Sequence, residues 1–324
     1  MKRVKKINKI DEIIKDYQTI GISGHIKPDG DCVGSCLALY NYILENYPDR
    51  TVDIRLMPVP EHFLFMKHAD QMIHETTQDK KYDLFFCLDC GDEKRLGENA
   101  KYFQSANATA VIDHHISNIG FADDNVIVPD ASSTCEVLYD LFDDEKISKT
   151  IAECLYTGIV HDTGVFNFSC TSSKTMNIAG KLMDKGINFQ KIITDTFYKK
   201  SYNQNQILGR ALLESLLVLD GKCIVSVVNL EEMEFFGVTG KDLDGIIDQL
   251  RITEGVECAV FIYQLGDLSY KVSMRSDSYV DVSKIAVTFG GGGHIRAAGC
   301  SMEGTEHDVI NNIVKEIAAQ LQEN

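Results

Sequence analysis

Ala108-Thr109-Ala110-Val111-Ile112-Asp113-His114-His115 runs from small and β-branched residues straight into one acid and two imidazoles. The apolar part reads as a buried strand of a parallel sheet. Its polar end then falls at the carboxyl edge, where open α/β sheets keep their ligands. Two other predicted strands end the same way. Residues 19–23 form one, and Gly24-His25-Ile26-Lys27-Pro28-Asp29-Gly30-Asp31 follows it. Its glycines and Pro28 keep this loop out of helix, so that its side chains can converge. A helix is predicted from Cys32 onward, with an N-terminus that favours a bound phosphate. One His and two Asp within seven residues are metal-ligand material. Oxygen and imidazole donors without thiolate point to Mn²⁺ or Mg²⁺ more than to structural zinc.

The run over 83–89 is almost continuously apolar and so predicts a central strand. Asp89 ends it, placed to bridge two metals, and Asp92 reads as the cap of the next turn. Shorter strands are predicted over 51–56 and 126–128. Ser132-Ser133-Thr134-Cys135-Glu136 has capping-box spacing and opens a helix through Leu141. A second helix over 148–160 runs into His161-Asp162-Thr163-Gly164. Asp162 falls at the end of that helix, where the macrodipole disfavours an acid unless a cation meets it. His161 reads as a supporting residue, and His62, His68 and His74 as ordinary surface or boundary histidines.

With 324 residues, the chain suits two domains, each able to bury a core. Its hydrophobic content of 44% and charged content of 25% are those of a globular protein. A net charge of -16 argues against binding a long nucleic acid, which needs a broad basic face. A small anionic substrate stays compatible if metal ions or an Arg cluster reverse the local field. The basic start at 1–6 lacks the apolar core of a signal peptide, and an amphipathic helix pattern follows at 10–15. No apolar stretch is long enough to span a bilayer. The ten Cys lie mostly in apolar runs, which predicts reduced, buried thiols and a cytoplasmic location. Cys87-Leu-Asp-Cys90 is a lone CxxC, and strand alternation sends its two sulfurs to opposite faces.

Helices are predicted over 175–185, 189–197 and 204–217, with the polar stretch 198–205 as the linker candidate. Strands over 223–228, 258–263 and 270–275 and a closing helix over 309–321 follow. The strongest signal in this half is Gly290-Gly291-Gly292-Gly293-His294-Ile295-Arg296-Ala297-Ala298-Gly299. Four glycines permit a loop whose amides point at an anion. His294, Arg296 and the nearby Arg275 add charge suited to bidentate phosphate binding.

Taken together, the His-x3-Asp-x-Asp loop, the strand-end Asp89, the tripeptide at 113–115, Asp162-Thr163-Gly164 and the Gly-Gly-Gly-His-x-x-Ala-Ala-Gly run resemble the DHH phosphoesterases. The resemblance covers nearly the whole chain. It is similar in length and order to the NrnA-type branch, which degrades very short oligoribonucleotides and removes the 3′-phosphate of adenosine 3′,5′-bisphosphate (pAp). It implies an α/β fold with a Rossmann-like catalytic domain over 1–190, a helical linker over 191–215 and a smaller α/β substrate domain over 216–324. The active site is then expected in the cleft between the domains. Two Mn²⁺ are implied, with Mg²⁺ or Co²⁺ as substitutes. His25 and Asp29 would hold the first ion, Asp31, His114 and Asp162 the second, and Asp89 would bridge them. Asp113 would orient a histidine, His114 by preference, and His115 would contact the substrate phosphate; with Asp89 these form the catalytic set. Arg275, Gly291, Gly292, Gly293, His294 and Arg296 would hold the terminal phosphate or base. His161 departs from the small hydroxyl residue many relatives carry there.

The substrates so implied are short RNA and pAp, with linear or cyclic dinucleotides such as pApA or c-di-AMP as the alternative. A manganese pyrophosphatase fits less well, because its second domain lacks the glycine–histidine loop. A long-strand RecJ-like exonuclease fits the length and charge poorly, and an inactive nucleotide sensor sits badly with six intact ligands. Neither a long nucleic acid nor a membrane is an expected partner, and a homodimer is left open.

Overall fold

Five short strands carry the first half of the molecule: β1 (Thr19–Ser23), β2 (Thr51–Arg55), β3 (Leu84–Leu88), β4 (Ala108–Asp113) and β5 (Asp124–Ile127). They form one all-parallel sheet in the order β2-β1-β3-β4-β5. This is a computed structural model; it describes residues 9–76 and 79–322, so the basic start at 1–6 lies outside the described residues. The chain divides into two units, Met1–Lys199 and Lys200–Asn324.

In the first unit β3 is buried at every residue, as its unbroken apolar run demands. The helices are α1 (Ile10–Ile14), α2 (Gly30–Asn46), α3 (Ala100–Ser105), α4 (Thr134–Leu141), α5 (Lys149–Asp162), α6 (Ser173–Asp184) and α7 (Phe189–Ile193). Helix α2 begins at Gly30, two residues earlier than its apolar pattern suggests, because the Asp29 carboxylate accepts from the amides of Asp31 and Cys32. It is buried from Gly30 to Ile43 and packs along α5. The approach is close: a Cβ on Gly158 of α5 would sit 2.3 Å from the Cys135 sulfur and 2.6 Å from an Asp31 carboxylate oxygen. Glycine is required there by space alone.

The strand order reverses between β1 and β3, and such switch points open a crevice at the carboxyl ends of the strands. The 24–31 loop follows β1 and Asp89 follows β3, so both line that crevice. Asp89 takes a left-handed backbone conformation (φ 56°), which ends the strand abruptly. That turn overrides the alternation expected of Cys87-Leu-Asp-Cys90. The two cysteines lie together in one small core cluster rather than on opposite faces.

The second unit holds α8 (Tyr202–Leu213), β6 (Leu216–Val218), β7 (Cys223–Val228), α9 (Leu230–Phe236), α10 (Ile246–Arg251), β8 (Cys258–Gly266), β9 (Ser269–Ser276), α11 (Val282–Thr288), β10 (Gly292–His294), β11 (Ala297–Glu303) and α12 (Glu306–Gln322). Its sheet order is β10-β11-β9-β8-β7-β6, antiparallel except for the β7–β8 pair. One core cluster gathers Val272 and Met274 with Ile285 of α11 and Ile313 of α12. Another gathers Ala259 and Phe261 with Ile207 of α8 and Leu250 of α10.

The division between units falls inside the 191–215 stretch. Residues up to Lys199 pack with the first unit, and α8 buries Ile207 and Ala211 in the second. The helix predicted through 217 stops at Leu213, because Leu216 and Leu217 pair with Val225 and Ile224 as an edge strand.

Candidate metal centre and active site

Four segments far apart in sequence bring their side chains to the crevice. His25 and Asp29 come from the loop after β1, and Asp31 from the first turn of α2. Asp89 comes from the end of β3, Asp113-His114-His115 from the end of β4, and Asp162 from the last position of α5. All six expected metal ligands thus lie in the first unit, and the structure brings them together.

Asp89 stands at the middle. Its Oδ2 is 3.4 Å from His25 Nε2, and its Oδ1 is 3.7 Å from His114 Nε2. His25 Nε2 also lies 3.6 Å from Asp29 Oδ2, and His114 Nε2 lies 3.1 Å from Asp162 Oδ2. Asp31, His114 and Asp162 form one group able to hold an ion, and His25 with Asp89 belongs to another. Ligand atoms about 2.0–2.2 Å from one ion stand roughly 3–3.5 Å apart, which these separations approach. The set is oxygen and imidazole nitrogen, with the Cys32 thiol beside His25 and Asp89 and the Cys135 thiol beside Asp31 as soft neighbours.

The supporting contacts fix each ligand. Asp31 is fully buried, and its carboxylate accepts from the Thr134 amide (2.6 Å) and the Cys135 amide (3.0 Å) at the start of α4. A helix N-terminus so aimed favours the anion. Thr134 Oγ1 donates to Asp89 Oδ1 at 3.2 Å. His25 Nδ1 donates to the Ile26 carbonyl at 2.8 Å, leaving Nε2 for the centre. The His114 ring is held by the Ala131 carbonyl, 3.3 Å from its Nδ1.

The expectation that Asp113 steadies the His114 ring is corrected. The Asp113 carboxylate is fully buried and lies 2.7 Å from Nδ1 of His115. His114 gives it only its backbone amide, and Asn118 Nδ2 holds the other oxygen at 2.7 Å. The strand turns after Asp113, and the His115 ring folds back over the carboxylate while that of His114 points into the centre. Among the described residues, none hydrogen-bonds to Nε2 of His115.

Electrostatics say what the centre lacks. Burial and the charges of Asp89 and Asp162 push Asp31 far above the usual carboxylate range. Burial pushes Asp162 up to about 6, against the pull of His114 and helped by Asp89. Against their own burial, His25 is raised by Asp29 and Asp89, and His114 is raised to about 10 by Asp162 and Asp31. Among the described residues, no Lys or Arg pairs with any of these carboxylates within 4.0 Å. Acids crowded together without a cationic side chain, holding protons on neighbouring histidines, fit divalent cations at this place.

His161 faces away from the centre. Thr196 donates its hydroxyl proton to the Ile192 carbonyl (2.8 Å), so His161 Nε2 must donate to Thr196 Oγ1 (2.9 Å). Burial and the neighbouring His62 push its pKa down to about 4, so the ring is neutral. It packs over Gly30, where a Cβ would come within 2.3 Å of its Cγ. His161 is thus the buttress that makes glycine necessary between Asp29 and Asp31. Asp92 caps the following turn through the Lys94 amide at 2.8 Å, as its position suggests.

The expected substrate residues of the second unit fare unequally. The glycine run is no amide cradle: Gly290 and Gly291 donate their amides back to Val287 and Ala286 of α11. Gly292, Gly293 and His294 then form the edge strand β10, paired with Gly299, Ala298 and Ala297. The glycines serve a helix end and a tight hairpin, with φ 72° at Gly290 and 147° at Gly293. Arg296 is engaged elsewhere, donating to the Val280 carbonyl (2.9 Å) and to the Ser278 carbonyl. Glu257 grips the same loop from its amides at Ser278, Tyr279 and Val280. Arg296 is a loop clamp rather than a free phosphate fork. Arg275 and His294 remain on one sheet face, opposite Ala297 from either side. Arg275, 3.4 Å from Asp248, lines an open cavity with Tyr263, Lys271 and Ser273.

Both units match known protein families. Residues 19–159 match the DHH family, N-terminal domain, and residues 220–323 the DHHA1 domain. The bifunctional oligoribonuclease and PAP phosphatase NrnA of Bacillus subtilis is 27% identical, over 88% of this chain and 90% of its own. The cyclic-di-AMP phosphodiesterase PdeA of Listeria monocytogenes is 28% identical over 91% of this chain and 46% of its own. An exopolyphosphatase-related protein from Bacteroides fragilis superposes with a TM-score of 0.87 at 24% identity, covering 96% of this chain and 95% of that one. At that identity the last comparison speaks to fold alone.

Proposed function

This chain carries a DHH-family N-terminal domain followed by a DHHA1 domain, and from that premise we propose that it is a two-metal phosphoesterase. Its substrates are short oligoribonucleotides, cut to mononucleotides, and pAp, cut to AMP. The observation that carries the reading is the division of one carboxylate, Asp89, between His25 and His114. His25, Asp29 and Asp89 Oδ2 would hold one ion. Asp31, His114, Asp162 and Asp89 Oδ1 would hold the other, with Mn²⁺ as the proposed metal. A pair of divalent cations supplies Lewis acidity, neutralising phosphoryl oxygens and making water acidic enough to attack near neutral pH.

The chain's own residues do the positioning. The amides of Thr134 and Cys135 hold Asp31 against rotation, and Thr134 Oγ1 does the same for Asp89. Asp113 fixes the His115 ring and, against the cost of burial, raises its pKa, which favours a proton on Nε2 for a phosphoryl oxygen. In the hydrolysis the water oxygen bonds to phosphorus, the ester P–O bond breaks, and the leaving oxygen takes up a proton. Arg275 and His294 are proposed to hold the substrate's distal phosphate or base.

The net charge of -16 supports a short substrate, since a long strand is held by a broad basic face, which so acidic a chain disfavours. All ten cysteines are free and nine are buried, which suits the reducing cytoplasm. No described helix is long and apolar enough to cross a membrane. A second reading, hydrolysis of linear or cyclic dinucleotides, is favoured by the Listeria relative and uses the same centre.

The deciding assay offers Mn²⁺-loaded protein pAp, RNA of two to five nucleotides, a 24-nucleotide RNA, linear and cyclic dinucleotides, and pyrophosphate side by side. Rapid turnover of pAp and of the shortest RNAs is expected. Equal rates on the 24-mer and the dimer would remove the short-substrate reading, and a dominant rate on cyclic dinucleotides would replace it with the second.

A further inference from the structure

Five aromatic rings in the first unit touch in series. The centroids of His62 and Phe63 are 4.2 Å apart, those of Phe63 and His161 4.9 Å, of His161 and Phe197 5.6 Å, and of Phe197 and Tyr198 5.3 Å. His62 and Phe63 are tilted by 59°, and the next three pairs meet edge to face at 66° to 83°. His62 and His161 lie almost parallel, 10° apart in orientation.

The inner rings are fixed and the outer ones are bare. Phe63 is buried, and His161 is tied to Thr196. His62 is exposed, as are Phe197 and Tyr198, the last with 60% of its surface open. Phe197 and Tyr198 end a π-helical turn, Thr194–Tyr198, closed by the Lys199 amide on the Thr194 carbonyl at 2.8 Å. Such wide turns are rare and are found often at functional sites.

Position gives the row its meaning. His161 immediately precedes Asp162, and its ring lies over Gly30, whose chain neighbours are Asp29 and Asp31. The middle ring of the series therefore adjoins three of the six candidate ligands, Asp162 along the chain and Asp29 and Asp31 through Gly30. Scattered exposed rings are ordinary on any surface. A connected row that runs beside the ligand-bearing segments and opens to solvent at both ends suits an occupant with flat apolar faces.

We propose that His62, Phe197 and Tyr198 form a nucleobase-stacking subsite for the nucleosides flanking the phosphate at the centre. The proposal rests on the phosphoesterase reading above and adds which side chains hold the nucleoside part. Every base offers a π-face, so stacking tolerates any sequence, as a scavenger of mixed short RNAs requires. No covalent step is involved.

The test uses the full chain with Mn²⁺ and RNA dinucleotides bearing either two bases or one base and one abasic sugar. Stacking of one base is worth about 5- to 150-fold in kcat/KM, so the wild type is expected to prefer the two-base substrate by a factor in that range. His62→Ala and Tyr198→Ala, both at exposed positions, are expected to bring that ratio close to one. Phe235→Ala, an exposed ring of the second unit, serves as the control and keeps the wild-type ratio. With 2-aminopurine as one base, bound substrate is quenched by the wild type and less so by the two variants. Unchanged ratios and unchanged quenching in both variants overturn the subsite while the phosphoesterase reading stands. No cleavage of any nucleotide by the wild type removes that reading and the subsite with it.

Discussion

Replacing Asp89 by Asn tests the centre at its most loaded point. The side chain keeps its shape, and asparagine tolerates the left-handed backbone found here (φ 56°), so the fold should survive better than with alanine. What changes is the chemistry of two oxygens that now face His25 Nε2 at 3.4 Å and His114 Nε2 at 3.7 Å. An amide offers one uncharged oxygen, which can serve one side only. Two ions, each at roughly 100 times its dissociation constant, stabilise the protein by about 2.7 kcal/mol apiece. For a unit of this size, 1 kcal/mol moves Tm by about 2–4 °C, so loading both sites should raise Tm by roughly 11–22 °C. The variant should show half of that rise or less. Metal analysis after gel filtration should find two ions per wild-type chain and at most one per variant chain. Losing several kcal/mol of charge stabilisation in the transition state should cut kcat by about 10³-fold or more. An Asn variant that keeps two ions and wild-type turnover would refute Asp89 as the bridge.

Three further outcomes are expected. Asp113→Asn frees His115, so kcat should fall by about 10- to 100-fold; the raised His115 pKa should also drop back, moving the alkaline limb of the pH–rate profile to lower pH, and an unmoved limb would clear Asp113 of this role. Metal binding must expel protons from Asp31, Asp162, His25 and His114, all raised in the metal-free protein, so affinity should climb with pH through about 6 (Asp162) towards about 10 (His114). The same signs mean that the metal-free fold loses, as pH rises, the stability these protons lend it, and calorimetry in buffers of different ionisation enthalpy should register the release. Arg296→Ala should lower the Tm of the second unit through loss of its clamp on Ser278 and Val280, whereas Arg275→Ala should leave Tm nearly unchanged and raise KM for nucleotides. The reverse pattern would restore Arg296 as a substrate contact.

Much of this protein was legible along the chain. Apolar runs that stop at an acid mark strand ends, and in a parallel sheet strand ends share one edge, so 25–31, 89 and 113–115 had to meet. Asp162 announced itself as an acid at the wrong end of a helix, and it does end α5. The second unit was less readable, because its short helices α9, α10 and α11 and its edge strand β10 carry too few residues to show a period. The glycine run illustrates the limit. Its composition permits either an anion cradle or a hairpin, and the choice came from pairing with Gly299, Ala298 and Ala297.

The sequence by itself determined which residue types reach the crevice and from which strand and helix ends, because periodicity and chain direction are local properties. Only the tertiary structure decided which atom each one serves. Asp31 is oriented by amides 103 and 104 positions away. Cys87 and Cys90 share one core cluster because one left-handed residue turns the chain between them. Asp113 supports His115 rather than His114, and Arg296 holds a loop rather than a phosphate. Hydrogen-bond allocation turns on differences below an ångström between groups brought together by folding, and no spacing along the chain encodes distances that fine.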